Sequence, residues 1–147
     1  MFSNPNARRV MTALIFIISV SSSVSAAGYF WVGGDGNWSD ISHWATTSGG
    51  GATHAQAPTA NDDVYFDANS FSGPLQMVRL NTDVNFCRSM SWAGATGNPV
   101  FLGGRSVSLN VFGSLELINA MDYRFDGTVV FTGETDNNVD FRGNTAG

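Results

Sequence analysis

The chain has 147 residues, a formal net charge of −5 and one cysteine. All seven of its basic residues are arginines, because the sequence contains no lysine. An acidic chain repels phosphate backbones, which argues against nucleic acid as a partner. One cysteine cannot form an internal disulfide, so the fold must be stabilised by an ordinary hydrophobic core.

The first 27 residues have the layout of a secretory signal peptide. Arg8 and Arg9 precede an apolar run at 10–20, and a stretch of small and polar residues ends at Ala26 and Ala27. Cleavage after Ala26 and cleavage after Ala27 both fit this pattern. The apolar run is shorter than the roughly 20 residues of a membrane-spanning helix. We expect a secreted or cell-surface protein with no membrane span after cleavage; an uncleaved anchor is the alternative.

The remaining chain, about 120 residues, is long enough for one domain. It has no sustained helical periodicity, and its apolar residues alternate in short runs that are separated by Gly, Asn, Asp and Ser, which is typical of strands and turns. Strands are predicted at 64–66, 77–80, 85–92, 106–118, 128–131 and 139–141. The predicted fold class is all-β, the start of a parallel β-helix or β-solenoid; an antiparallel β-sandwich is the alternative.

The sequence divides into three regions. A signal-peptide helix at 1–27 is followed at 28–75 by an aromatic, glycine-rich N-terminal cap region, in which 48–53 is predicted to be a flexible loop. Short solenoid rungs follow at 76–147. No capping segment follows the last predicted strand, so we expect truncation at the C-terminus and covalent continuation into a longer chain.

Two motifs carry a family resemblance: WVGGDGNWSDISHW at 31–44 and PTANDDVYFD at 58–67. They resemble the opening of large secreted, adhesin-like β-solenoid surface proteins of Bacteroidota-type bacteria. The resemblance implies continuation into β-helix repeats and a location at the cell surface. Two features of that family, many rungs and a C-terminal sorting domain, are missing from this sequence.

Three tryptophans of the first motif, Trp31, Trp38 and Trp44, are candidate ligand-binding residues. Each indole can bury on the order of 200 Å², so together they can form a cap over the first rung. Exposed, the same rings would stack on sugar faces and bind a glycan. The buried cap is the favoured interpretation, and a sugar-binding platform is the alternative.

Other side chains are candidates for a metal site or a catalytic role. Asp62, Asp63 and Asp67 are the candidate calcium ligands, since oxygen ligands suit calcium; the alternative is a solvated turn. His43 and His54 have no partners at zinc-ligand spacing, and Cys87 is predicted to be a buried small hydrophobe. We expect no cofactor, with calcium left open.

No nucleophile, phosphate-loop or paired acid-base motif is present in the sequence. We therefore expect a non-catalytic structural or adhesion protein whose partner is an extracellular glycan or a cell surface. A carbohydrate-binding module is the alternative. A fragment of a β-helical polysaccharide-degrading enzyme is the second alternative.

Overall fold

A computed structural model describes residues 26–133 and 138–141, and in this part of the chain the fold is all-β. One 3₁₀ turn, Ile41–His43, interrupts the strands. The strands are β1 Gly28–Trp31, β2 Gly36–Asn37, β3 Trp44–Thr47, β4 Gly50–Thr53, β5 Asp63–Tyr65, β6 Met77–Leu80, β7 Val84–Cys87, β8 Met90–Ser91, β9 Val100–Gly103, β10 Ser108–Val111, β11 Leu115–Glu116, β12 Asp122–Phe125, β13 Thr128–Phe131 and β14 Val139–Asp140. The described residues form no helix long and apolar enough to cross a bilayer. The predicted signal peptide falls almost wholly on residues outside those described.

The strands form three sheets that share one repeating chain order. Sheet 1 has the strand order β14-β11-β8-β5-β1-β3-β4, sheet 2 has β12-β9-β6-β2, and sheet 3 has β13-β10-β7. From β5 onward the chain visits sheets 1, 2 and 3 in turn and then returns to sheet 1, one strand further along. This is a parallel β-solenoid of about three turns, so the predicted solenoid is confirmed and the sandwich is not the fold.

Successive coils are in close register. Met90 of β8 lies between Val64 of β5 and Leu115 of β11 in sheet 1. Cross-coil hydrogen bonds join residues 25 apart at several points, including the bond from Ser91 to Glu116. A coil of about 25 residues therefore places equivalent side chains directly above one another, at the roughly 4.8 Å spacing of paired strands.

The interior is filled by the inward residues of these stacked strands. On sheet 1, Val64, Met90 and Leu115 point inward and are at most 2% exposed. Across the solenoid, Leu109 and Val111 of β10 are fully buried. Within β10 the alternation read from the sequence therefore identifies the core positions correctly, because successive side chains of a strand point to opposite faces.

The predicted strand at 85–92 is wrong as a single strand. It is two strands, β7 and β8, separated by a corner at Arg88 and Ser89. Cys87 and Met90 are both buried, although they are three residues apart. The corner thus reverses the phase of the alternation, and one uninterrupted strand would place one of these two side chains in solvent. The segment 106–118 likewise divides into β10 and β11.

Corner residues are joined from coil to coil by hydroxyl groups. The Ser89 Oγ accepts a hydrogen bond from the Ser114 backbone N–H at 3.2 Å. One coil further on, the Ser114 Oγ accepts from the Asn138 N–H at 3.1 Å. These bonds continue the ladder at corners where the chain leaves the strand conformation.

The N-terminal end of the solenoid is covered by an antiparallel hairpin. Strand β3 pairs antiparallel with both β1 and β4. The prediction of a flexible loop at 48–53 is therefore wrong, since most of it is strand β4. The parallel ladder also reaches into the predicted cap region, because β1 and β5 are neighbours in sheet 1.

Candidate functional site

The three candidate tryptophans lie inside the core at the hairpin end of the solenoid, and Trp44 is itself the first residue of β3. Trp31 and Trp44 are 0% exposed and Trp38 is 2% exposed. Trp44 contacts both of the others edge to face, with ring centroids 4.9 and 4.8 Å apart. The structure brings the rings together as the favoured buried cap. No indole presents a face to solvent, so these rings do not form the alternative sugar-binding platform.

Hydrogen bonds hold two of these indoles in place. The Trp31 Nε1–H donates to the Gly34 carbonyl oxygen at 2.7 Å, and the Trp44 Nε1–H donates to the Trp38 carbonyl oxygen at 2.7 Å. Buried polar atoms that lack a partner are costly, so these bonds let polar rings occupy an apolar interior.

Both histidines are part of the same cap. The His43 ring stacks on Trp31 at a centroid distance of 4.6 Å, and its Nδ1 lies 2.6 Å from the Val32 carbonyl oxygen. A side chain at Gly36 would collide with the His43 ring, which is why the strand needs glycine there. His43 thus stacks on Trp31 of β1, which is the strand next to the one that holds Trp44, the residue after His43.

His54 is engaged in the same way. It stacks on Tyr29 at a centroid distance of 3.6 Å, and its Nε2 lies 3.0 Å from the Gly28 carbonyl oxygen. Burial raises the pKa of the Tyr29 phenol, and the nearby Asp62 carboxylate raises it further. Both imidazoles thus contact backbone oxygens through one ring nitrogen and stack on aromatic rings.

The three candidate calcium ligands have separate structural roles. Asp62 is 7% exposed, and its Oδ2 accepts hydrogen bonds from the Thr59 N–H and hydroxyl at 2.9 and 2.6 Å. Asp67 accepts from the Asn69 N–H at 2.8 Å. These contacts match the alternative interpretation, in which aspartates hold turn amides.

Asp63 is bonded to an arginine one coil further along. The Arg88 Nε–H donates to the Asp63 Oδ1 at 2.8 Å, a second nitrogen of the guanidinium bonds Oδ2, and this pairing raises the pKa of Arg88. Within 26–133 and 138–141, no three His, Cys, Asp or Glu side chains are placed to hold a metal ion. The aspartates therefore do not converge on a cation site in this structure.

Cys87 is fully buried on the inner side of β7, as predicted. Burial, and secondarily the Asp63 charge, raises the pKa of its thiol to about 12. A thiol in that state is not a nucleophile at neutral pH, because the thiolate is the reactive form.

A pair of aromatic rings lies on the outer side of sheet 1. Phe30 and Tyr65 are half-buried and stacked, with centroids 4.9 Å apart. Ser91 and Glu116 continue the same outward column, and the Ser91 hydroxyl donates to the Glu116 Oε2 at 3.0 Å. Burial raises the pKa of Tyr65, and the Asp63 charge adds to this. Each of the two rings therefore covers one face of the other.

A shallow groove of about 210 Å³ lies outside sheet 2, where β2 meets β6. It is lined by Asp35, Gly36, Asn37, Met77 and Arg79. The groove places a carboxylate, a carboxamide and a guanidinium together around an exposed thioether. These groups can donate and accept hydrogen bonds toward a small polar ligand.

The sequence did not identify this groove as a site. The alternation in β6 places Arg79 outward, between the buried Val78 and Leu80. The register of Arg79 against Asn37, however, joins residues 42 positions apart and follows from coil stacking alone. In the sequence, Asp35 and Asn37 are only two polar residues of the glycine-rich first motif.

The chain matches no protein-family model, and neither the curated proteins nor the solved structures contain a match.

Proposed function

We propose that this chain is a non-catalytic structural segment of a secreted or cell-surface protein that takes part in adhesion. The observation that carries the proposal is the unbroken parallel ladder, which is closed at one end by the aromatic cap. Stacked coils of this kind form a stiff rod, since each coil contacts only its neighbours. The signal-peptide pattern at 1–27 supports export.

The role is passive. The inward side chains and corner hydroxyls hold the coils together, while the outward columns display polar and aromatic groups. Outward positions of sheets 1 and 2 carry Tyr65, Glu116 and Arg79. An extracellular glycan or another cell surface is the partner that this display would contact.

The contacts and burial of the histidines, the cysteine and the aspartates support a role without catalysis. His43 and His54 are engaged by backbone oxygens and ring stacking, and Cys87 is buried. Asp62, Asp63 and Asp67 hold turn amides or an arginine. A nucleophile needs a base within hydrogen-bond reach. In this structure the histidines and aspartates are already engaged in hydrogen bonds, ring stacking or an ion pair.

The last described coil presents partly exposed apolar side chains. At the last described coil, Phe131 is 40% exposed and Val139 is 38% exposed. Their counterparts one coil earlier, Val111 and Leu115, are buried.

The proposal can be tested with cells that produce the full chain and with otherwise identical cells that lack it. We expect the producing cells to attach more strongly to a glycan-coated surface. We also expect the purified full chain to leave polysaccharide length unchanged. Equal attachment of the two cell types, or shortening of a polysaccharide by the pure protein, would overturn the proposal.

A carbohydrate-binding module is the second candidate function. The observation that favours it is the groove of Asp35, Asn37 and Arg79, whose side chains face outward around a concave surface. The tryptophans do not contribute to this candidate, because they are buried.

A further inference from the structure

The groove between β2 and β6 has a defined set of polar groups. The Asp35 Oδ1 accepts the Met77 backbone N–H at 2.6 Å, which fixes the carboxylate at the groove wall. Asn37 and Arg79 are register partners on adjacent strands, so their outward side chains stand side by side. The Arg79 carbonyl oxygen accepts the Trp38 N–H at 2.8 Å, which anchors this part of the strand to the cap.

Arg79 differs from two other arginines of the solenoid, Arg88 and Arg124. Arg88 is ion-paired with Asp63 and Arg124 with Asp122. Arg79, in the same outward column as Arg124, has no ion pair among residues 26–133 and 138–141. A free guanidinium in an acidic protein, set in a concave site, is available for an anionic group.

We propose that this groove binds a carboxylate-bearing sugar unit of a glycan. The Arg79 guanidinium matches a carboxylate bidentately, and this fork geometry gives strength and orientation. The Asn37 carboxamide oxygen and the remaining lone pairs of the Asp35 carboxylate accept hydrogen bonds from sugar hydroxyls. The Met77 side chain, 39% exposed, contacts the apolar face of the ring.

Asp35 sets the selectivity. Its negative charge disfavours a bare inorganic anion, which offers charge to Arg79 but no hydroxyl donors to the carboxylate. A sugar acid satisfies both groups at once, because it carries hydroxyls and one carboxylate. A neutral sugar leaves the guanidinium without its counter-ion. The charge arrangement thus favours acidic glycans over both neutral glycans and inorganic anions.

This inference rests on the proposed adhesive role and deepens it by naming the class of glycan. The two can fail separately. Binding to acidic sugars is measured on the purified full chain. Attachment is measured on cells, and any glycan on the coated surface can support it. A purified chain that does not bind acidic sugars would contradict this inference. It would not contradict attachment of the cells to neutral glycans.

The test titrates the purified full chain with trigalacturonic acid and, in parallel, with its neutral methyl ester, by NMR and calorimetry. We expect saturable binding of the acid, with shifts confined to Asn37, Met77, Arg79 and their neighbours. We expect the ester to bind at least about tenfold more weakly, because it cannot pair with the guanidinium. Inorganic sulfate, which carries charge but no hydroxyl donor at neutral pH, is the control for simple charge attraction.

Arg79→Ala is expected to weaken binding of the acid at least about tenfold. Arg105→Ala, which removes an exposed arginine elsewhere, is the matched control and should leave binding unchanged. Circular dichroism checks that both variants remain folded. The proposal is overturned by any of three results: no binding of the acid, equal binding of acid and ester, or equal effects of the two variants.

Discussion

Phe66 and Trp92 stack face to face inside the solenoid, with ring centroids 3.8 Å apart and planes 13° apart. They occupy equivalent inward positions on successive coils of sheet 1, just after β5 and β8. Both are 0% exposed. Among the residues that the structure describes, the buried Trp92 Nε1–H finds no hydrogen-bond acceptor. Trp31, by contrast, donates its Nε1–H to Gly34.

This contrast predicts different costs for two matched substitutions. Trp31→Phe removes a buried hydrogen bond and leaves the Gly34 carbonyl oxygen without its donor, whereas Trp92→Phe removes an N–H that was already unpaired. An unsatisfied buried group costs about 1–3 kcal/mol. We expect Trp31→Phe to lower the free energy of unfolding by at least about 1 kcal/mol more than Trp92→Phe. Urea unfolding measures both, and an equal or reversed order would contradict this account of the cap.

A second pair of variants tests the packing of coils in sheet 2. Gly103 is buried, and a Cβ there would lie 2.5 Å from the Phe125 ring and 3.4 Å from the Leu80 Cβ. Gly104, the next residue, is exposed and has open space in the same position. We expect Gly103→Ala to destabilise by about 1–3 kcal/mol, because overpacking shifts neighbouring side chains. Gly104→Ala should change stability far less, and a similar loss for both would show that coil packing is not the cause.

The thiol of Cys87 provides a test of the core by chemical labelling. Its pKa is raised to about 12 by burial, and its side chain is fully enclosed. We expect no reaction with iodoacetamide at pH 8 in the native protein and full reaction in denaturant. Labelling of the native protein at the rate of a free thiol would mean that β7 does not face the interior.

The N-cap of the 3₁₀ turn predicts a pH response. The Ser42 hydroxyl and backbone N–H both donate to Asp40, and these bonds hold the pKa of Asp40 below its ordinary value. A depressed folded-state pKa contributes stability above the ordinary pKa, and this stability is lost as the pH falls through the folded-state pKa. Ser42→Ala should move the pKa of Asp40 upward in an NMR titration.

The control for that titration is Ser39→Ala. The Ser39 hydroxyl accepts from the Asn81 side chain and makes no hydrogen bond to Asp40. Its removal should leave the pKa of Asp40 in place. An equal shift in both variants would assign the effect to general solvent exposure instead of the cap.

Local alternation was enough to predict much of the solenoid wall. The segment 77–80 coincides with β6, and 128–131 coincides with β13. Strands β9 and β12 were missed, because Val100–Gly103 has only one partly exposed residue and Asp122–Phe125 has only one fully buried residue. A pattern of two-residue alternation does not describe either segment.

The cap and the groove depend on contacts that no local pattern encodes. Aromatic content predicts burial of Trp31 and Trp44, but the glycines at 49–51 indicate a loop where the structure has most of strand β4. The groove depends on the pairing of Asn37 with Arg79, which is set by how one coil stacks on another. Such register is determined by the whole core, so a single segment does not reveal it.

The most direct test of the central claim, an extracellular structural role, is the location of the natural product in the cells that make it. An antibody to residues 28–147 would be applied to intact cells, to the medium and to lysed cells. We predict binding to intact cells or recovery of the protein from the medium. Antigen that is detected only after lysis, with intact cells and medium both negative, would contradict the account.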